Sequence, residues 1–138
     1  MEKSPRFLIN IDVEDLEAGT RFYTEGLGLK VGRRFAERWV ELVGGDAPIY
    51  LLEKKAGTAP TRASPGRNYE RHWTPVHLDV IVPELDAAVT RAVAAGAQVE
   101  QPSAVEPFGR IAMLADPFGH GFCLIELNAE GYDSPALH

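Results

Sequence analysis

Alternating apolar and polar residues mark two similar stretches of the chain. Residues 7–13 carry apolar side chains at every second position, and so do residues 76–82. The apolar positions are Phe7, Ile9, Ile11 and Val13 in the first stretch and Val76, Leu78, Val80 and Val82 in the second. A period of two is typical of a β-strand with one buried face. The sequence therefore predicts two strands that each turn one face toward a core.

A helix and three further strands are predicted after each of these strands. Asp15 can cap a first helix that runs through Tyr23 and ends at Gly26 and Gly28. A second helix opens at residues 83–86 and its Ala-rich sequence ends at Gly96. The strand candidates are residues 30–35, 39–43 and 48–53 in the first half and residues 98–100, 110–115 and 121–127 in the second.

The order of predicted elements repeats along the chain. Leu16 and Leu85 lie 69 positions apart, the same offset pairs Val13 with Val82, and 69 is half of 138. The sequence therefore predicts an α+β fold made of two β-α-β-β-β units. The predicted segments are unit one at about 6–53, a mobile linker rich in turn-forming residues at 54–72, unit two at about 73–128 and a C-terminal tail at 129–138.

Polar side chains occupy the sheet face that a single helix cannot cover. In each unit the helix covers one face. The other face carries Asn10 and Asp12 in unit one, and His77 and Asp79 in unit two. Such a face can simply be solvated, but two of them related by a repeat would close into a cleft. We then expect these groups to converge on a small molecule.

Composition and charge argue against some classes of binding partner. The net charge of -6 and the pI near 5.2 argue against nucleic-acid binding, since nothing would offset phosphate repulsion. No apolar stretch approaches membrane-spanning length, so we expect no membrane contact. The first residues lack the long apolar segment of a secretory signal, which favours a cytoplasmic location. The single cysteine excludes an internal disulfide and a Cys-rich zinc site.

The repeated plan and several short motifs resemble the vicinal oxygen chelate superfamily. The motifs are DLEA at 15–18 with FY at 22–23, LGL at 27–29, and DPFG at 116–119. This superfamily includes glyoxalase I, extradiol dioxygenases, fosfomycin-modifying enzymes and bleomycin resistance proteins. The resemblance covers roughly residues 6–128. It implies the cupped, half-open barrel of the glyoxalase, bleomycin resistance and dihydroxybiphenyl dioxygenase fold, commonly found in a homodimer.

The resemblance also implies positions for metal ligands, and this chain departs from them. One ligand position falls on His77, but its counterpart in unit one is Leu8, which cannot bind a metal. The position of a glutamate on the last strand falls on Cys123, and its counterpart in unit one is Tyr50. Two protein ligands would not normally hold a divalent ion against water. We therefore predict no metal and no other cofactor, with a divalent ion on His77 and Cys123 as the alternative.

Other acidic residues and four further positions complete the candidate site. Asp12, Asp79 and Glu126 are further candidate ligands, although Asp12 and Asp79 lie further along their strands and Glu126 is predicted to point the other way. Trp39 and Glu41 lie on a strand that would line the first half, and either side chain could equally face solvent. By resemblance, Phe108 would pack on a ligand and Arg110 would pair with an anion. The acidic residues Asp12, Glu41 and Asp79 would suit a cationic ligand.

Three functions stay open from the sequence. The first is a small-molecule binding protein of the bleomycin resistance type, without metal. The second is a metal-dependent lyase, isomerase or dioxygenase of the glyoxalase kind that uses His77 with an altered ligand set. The third is metal-free acid–base catalysis by His77, whose side chain ordinarily titrates near neutral pH.

Overall fold

The structure, a computed structural model, describes residues 4–138. Its contacts fall into two compact units, of which the first ends at Asn68 and the second begins at Tyr69. Each unit has one four-stranded sheet and one main helix, in the order β-α-β-β-β. The predicted α+β fold with a repeated unit is therefore confirmed. Among the described residues, no helix has the length and apolar character needed to cross a membrane.

The two sheets have the same topology. The elements of unit one are β1 (Ile9–Val13), α1 (Leu16–Arg21) with a π-helical turn (Phe22–Gly26), β2 (Lys30–Phe35), β3 (Trp39–Val43) and β4 (Ile49–Glu53). Those of unit two are β5 (Leu78–Ile81), α2 (Leu85–Ala94), β6 (Gln98–Glu106), β7 (Gly109–Ala115) and β8 (Gly121–Leu127). The strand orders are β1-β4-β3-β2 and β5-β8-β7-β6, with the first pair parallel and the others antiparallel in each sheet.

The first strands are shorter than predicted, and their apolar face is less buried than predicted. β1 and β5 begin two residues late, and Phe7 and Val76 are largely exposed. The residues predicted to be buried under the helices are half-buried; they are Ile9, Ile11, Leu78 and Val80. The fully buried residues of each core lie instead on the inner strands, such as Leu51 of β4 and Leu124 of β8. The helices pack on these inner strands.

A carboxylate at the end of the last strand fixes the start of each helix. Glu53 accepts a hydrogen bond from the amide of Leu16 at 2.9 Å, and Glu126 accepts one from the amide of Leu85 at 3.0 Å. The first amides of a helix lack partners within the helix, so these contacts satisfy donors that would otherwise be unpaired. Asp15 caps the first helix as predicted. Glu126 thus lies on the helix side of its sheet, as the sequence indicated.

Residues 54–68 fold back onto the first sheet. Gly57 and Arg67 are joined by a backbone hydrogen bond of 2.7 Å, and Arg67 donates to Asp12 on β1, also at 2.7 Å. The Arg67 side chain is only 16% exposed. The predicted linker at 54–72 is therefore divided: residues 54–68 belong to unit one and residues 69–72 to unit two.

Candidate ligand-binding site

A pocket of about 400 Å³ opens in unit one on the sheet face opposite the helix. It is lined by Leu8, Asn10, Arg33, Phe35, Trp39 and Tyr50. Four strands or their ends contribute to this lining, and three of the six side chains are aromatic. We call it the aromatic pocket. Asn10, Trp39 and Tyr50 were predicted as ligand-binding residues, and the structure brings them together here.

The β2–β3 hairpin sets the aromatic surface of the pocket. Phe35 and Trp39 are register partners, and their rings stack with centroids 3.9 Å apart and planes 15° from parallel. The Tyr50 ring lies 5.5 Å from that of Trp39. The turn between the strands places Ala36 and Glu37 at φ values of 48° and 60°, which non-glycine residues seldom adopt. This tight turn is what puts the two rings opposite each other.

Glu41 holds two lining residues of the aromatic pocket in place. Its Oε1 accepts from Nε of Arg33 at 3.0 Å, and its Oε2 accepts from Nη2 of Arg33 and from the Tyr50 hydroxyl, both at 2.7 Å. The hydrogen bonds from Arg33, and then from Tyr50, lower the pKa of Glu41 to about 2. The Glu41 hydrogen bond raises the pKa of Tyr50. Glu41 is therefore a buried, ionised anchor.

The lack of a side chain at Gly32 leaves space for the Glu41 carboxylate. A Cβ atom on Gly32 would lie 2.7 Å from Oε1 of Glu41, closer than such atoms approach in proteins. A side chain at this position would push the Glu41 carboxylate away from Arg33. The absence of a side chain at Gly32 thus lets the carboxylate approach β2 closely.

Unit two carries a group of polar side chains at the matching positions, which we call the polar cluster (His77, Asp79 and Cys123). Nε2 of His77 lies 3.2 Å from Oδ1 of Asp79. Asp79 and Cys123 are register partners in the parallel pair β5–β8. One ligand atom from each of the three residues lies within 4.8 Å of the others. Burial, and then the charge of Asp79, raise the pKa of Cys123 to about 12.

The polar cluster offers a more complete ligand set than the sequence indicated. Asp79 adds an oxygen donor to the nitrogen of His77 and the sulfur of Cys123, and three protein ligands are the number found in catalytic zinc sites. A mixed nitrogen, oxygen and sulfur set suits a zinc-like ion better than magnesium or calcium, which take oxygen ligands. The buried neutral thiol would have to lose its proton to bind such an ion. The prediction of a metal-free site stays a prediction.

The structure groups three other predicted residues with neither the aromatic pocket nor the polar cluster. Asp12 is paired with Arg67. The Phe108 ring packs against Tyr132, with centroids 5.3 Å apart. The Arg110 guanidinium lies 2.8 Å from Asp86 and also contacts Ser103 and Glu126, so both of its terminal nitrogens already have partners. Their predicted contacts with a ligand stay predictions, as does the prediction that both groups line one cup.

Sequence reasoning did not predict three lining residues of the aromatic pocket as ligand contacts: Leu8, which it named only as the counterpart of His77, Arg33 and Phe35. The strand bounds contained a usable signal for Phe35. Two strands separated by a three-residue turn place the last residue of one opposite the first of the next, which pairs Phe35 with Trp39. No comparable signal marks Arg33, because its pairing with Glu41 depends on a register shift between Val31 and Arg34.

The pattern of elements matches that of known proteins. Residues 8–125 match the model of the glyoxalase-like domain family. The chain belongs to this family. The resemblance to the vicinal oxygen chelate superfamily is thereby confirmed.

Relatives of this glyoxalase-like domain include proteins connected with antibiotics. It is 32% identical over 130 residues to the anthracycline biosynthesis protein DnrV of Streptomyces peucetius. The match covers 93% of this chain and 43% of that protein, so the chain spans less than half the length of that relative. Its fold is similar to that of TnmS3, an antibiotic binding protein from Streptomyces sp. CB03234, with 24% identity, coverage of 93% and 99%, and a TM-score of 0.66. It is also similar to the fosfomycin resistance protein FosX of Listeria monocytogenes, solved with Mn(II), with 19% identity, 94% coverage of both chains and a TM-score of 0.69.

Proposed function

We propose that this glyoxalase-like domain binds a flat aromatic small molecule in the aromatic pocket. The observation that carries the proposal is the arrangement of Phe35, Trp39 and Tyr50 along one side of a 400 Å³ pocket. Ligand pockets of this size are lined mainly by aromatic and apolar groups with a few polar groups that set orientation. Here Asn10 and Arg33 are those polar groups.

Two relatives support a role with antibiotics or similar natural products. One takes part in anthracycline biosynthesis and another binds an antibiotic. Binding as proposed needs no metal ion, since the lining supplies a guanidinium, a carboxamide and a phenol rather than a set of metal ligands. We therefore favour a binding protein over an enzyme for this site.

The two tryptophans provide a matched test of this proposal. Trp39 lines the aromatic pocket, whereas Trp73 lies in unit two beside His77. We expect Trp39→Leu to weaken binding of 9-anthracenemethanol by about tenfold or more, the usual loss when a stacking aromatic is removed, and Trp73→Leu to leave it unchanged. Isothermal titration calorimetry measures both. Equal affinities for wild type and Trp39→Leu would refute the proposal.

The polar cluster supports a second candidate function. His77, Asp79 and Cys123 would hold a zinc-like ion for a lyase, isomerase or dioxygenase reaction of the glyoxalase kind. Metal analysis of protein purified without chelators or affinity-tag metal tests it directly. Titration with Co²⁺ adds a spectroscopic readout, because a thiolate ligand gives a sulfur-to-cobalt charge-transfer band that Cys123→Ser would abolish. Absence of stoichiometric metal and of this band would rule out the candidate.

We further propose that the domain forms a homodimer. Large apolar side chains are exposed at the start of both first strands: Phe7 is 76% and Val76 is 87% exposed. Contiguous exposed apolar surface commonly marks contact regions, and Leu8, next to Phe7, is also 56% exposed. Sedimentation equilibrium at micromolar concentration should show twice the chain mass of 15.1 kDa. A single species at the chain mass would contradict the proposal.

A further inference from the structure

We infer that the ligand of the aromatic pocket carries an anionic oxygen group beside its flat ring, and that the pocket discriminates against cations. The inference rests on the proposed binding function and specifies the class of ligand. It reverses the expectation from the sequence, in which Asp12, Glu41 and Asp79 would attract a cation. The reversal follows from the partners that the unit-one carboxylates already have.

Glu41 has no acceptor capacity left for a ligand. Both of its oxygens accept two hydrogen bonds: Oε1 from the backbone and Nε of Arg33, and Oε2 from Nη2 of Arg33 and the Tyr50 hydroxyl. A carboxylate has about four acceptor positions, and all four are filled. Glu41 is also buried, with 8% of the residue exposed. A cationic ligand would therefore find no available carboxylate in this residue.

The negative charge of Asp12 is also compensated by a partner within unit one. It lies two residues beyond Asn10 on β1, on the same face of the strand, but its Oδ2 accepts from Nε of Arg67 at 2.7 Å. The Arg67 side chain is mostly buried and is held by Thr58 as well. The negative charge of Asp12 is thus matched by a fixed positive charge from the same unit.

Arg33 is the charged side chain that the pocket presents to a ligand. It is the single charged residue among those that line the pocket, and its side chain is 69% exposed. Glu41 uses Nε and Nη2, and within residues 4–138 no hydrogen bond involves Nη1. Asn10 is exposed in the same lining and has no hydrogen bond to another described side chain. The available polar groups are therefore two guanidinium N–H bonds and one carboxamide.

These groups complement an oxygen anion attached to an aromatic ring. Guanidinium and carboxylate or phenolate groups form charge-assisted hydrogen bonds, which are stronger than neutral ones. A ring that stacks in the aromatic pocket would bring an attached oxygen group to the edge where Arg33 lies. The net charge of -6 opposes any anion at long range, but the Debye length at physiological salt is only about 8 Å, so local pairing dominates there.

A matched series of probes tests the inference. Anthracene-9-carboxylate, 9-anthracenemethanol and 9-(aminomethyl)anthracene share one ring system and differ in the charge of a single substituent. Isothermal titration calorimetry at neutral pH and physiological salt should show the carboxylate binding about tenfold more tightly than the alcohol, with the amine weakest. In the double variant Arg33→Gln with Glu41→Gln, which removes both charges together, the ratio of affinities for the carboxylate and the alcohol should fall to about one.

The possible outcomes distinguish a failure of the inference on ligand charge from a failure of the proposed binding function. Equal affinities for the three probes, or tightest binding by the amine, would overturn the inference while the binding function stands. Retention of the carboxylate preference in the double variant would also overturn it, because the preference would then arise elsewhere. Failure of all three probes to bind the folded wild-type protein would overturn the proposed function itself.

Discussion

Cys123 lies directly opposite Asp79 in the parallel pair β5–β8, so that both side chains share the face turned away from the helix. The same relationship in unit one joins Tyr50 and Asn10 across β4 and β1. Equivalent positions of the repeat therefore carry different chemistry. Unit one has an aromatic pocket, and unit two has a polar cluster.

The environment of Cys123 predicts an unreactive thiol. Burial and the neighbouring Asp79 charge raise its pKa to about 12, so at neutral pH the folded protein holds almost no thiolate, which is the reactive form. Alkylation by iodoacetamide at neutral pH should be many-fold slower in the folded protein than in urea, as measured by mass spectrometry. Equal rates in the two states would contradict this account.

A pH effect on stability follows from the same thiol. An unfolded thiol loses its proton near pH 9, whereas the folded one holds it to about pH 12. Stability is thus unaffected below pH 9 and falls as the pH rises through this range. Cys123→Ser should make this decline in the free energy of unfolding smaller, and the raised pKa of Tyr50 contributes to the part that remains. A decline of equal size in Cys123→Ser would assign the effect to other groups.

Glu41 should make stability depend on pH at the acid end. Its pKa is lowered from 4.5 to about 2 in the folded protein, so its contribution is complete above about pH 4.5 and is lost as the pH falls toward 2. The difference in free energy of unfolding between wild type and Glu41→Gln should shrink over that range, as measured by urea denaturation. A difference that is constant from pH 5 to pH 2 would contradict the Arg33–Glu41 contact.

The carboxylates that hold the helix starts give a third stability test. Glu53→Ala removes the acceptor of the Leu16 amide and should cost about 1 kcal/mol of unfolding free energy. Glu53→Gln keeps an acceptor oxygen and should cost clearly less. Urea denaturation of the two variants checks the expectation. Equal losses would indicate that the charge of Glu53, rather than its hydrogen bond, is what matters.

The fold could be predicted from the sequence because its signals are local. The strand candidates at 30–35, 39–43 and 121–127 coincide with β2, β3 and β8, and Asp15 marked the first helix. The equivalence of Tyr50 and Cys123, which the family resemblance implied, agrees with the strand register.

The details of the site depend on contacts between residues far apart in the chain. Arg67 pairs with Asp12 over 55 positions, and nothing in the local sequence around either residue indicates it. The pairing of Arg33 with Glu41 likewise needs the irregular register of the β2–β3 hairpin. These two pairings compensate the two unit-one carboxylates that the sequence alone assigned to the site, which is why the ligand charge expected for the aromatic pocket changed.

The most direct test of the central claim is to observe the two indole N–H signals of the protein by ¹⁵N nuclear magnetic resonance during titration with 9-anthracenemethanol. The sequence has two tryptophans, one in each unit. Our account predicts a saturable shift of the Trp39 indole signal, because that ring lines the aromatic pocket, with little change in the signal of Trp73. A saturable shift of the Trp73 signal with an unchanged Trp39 signal would contradict it.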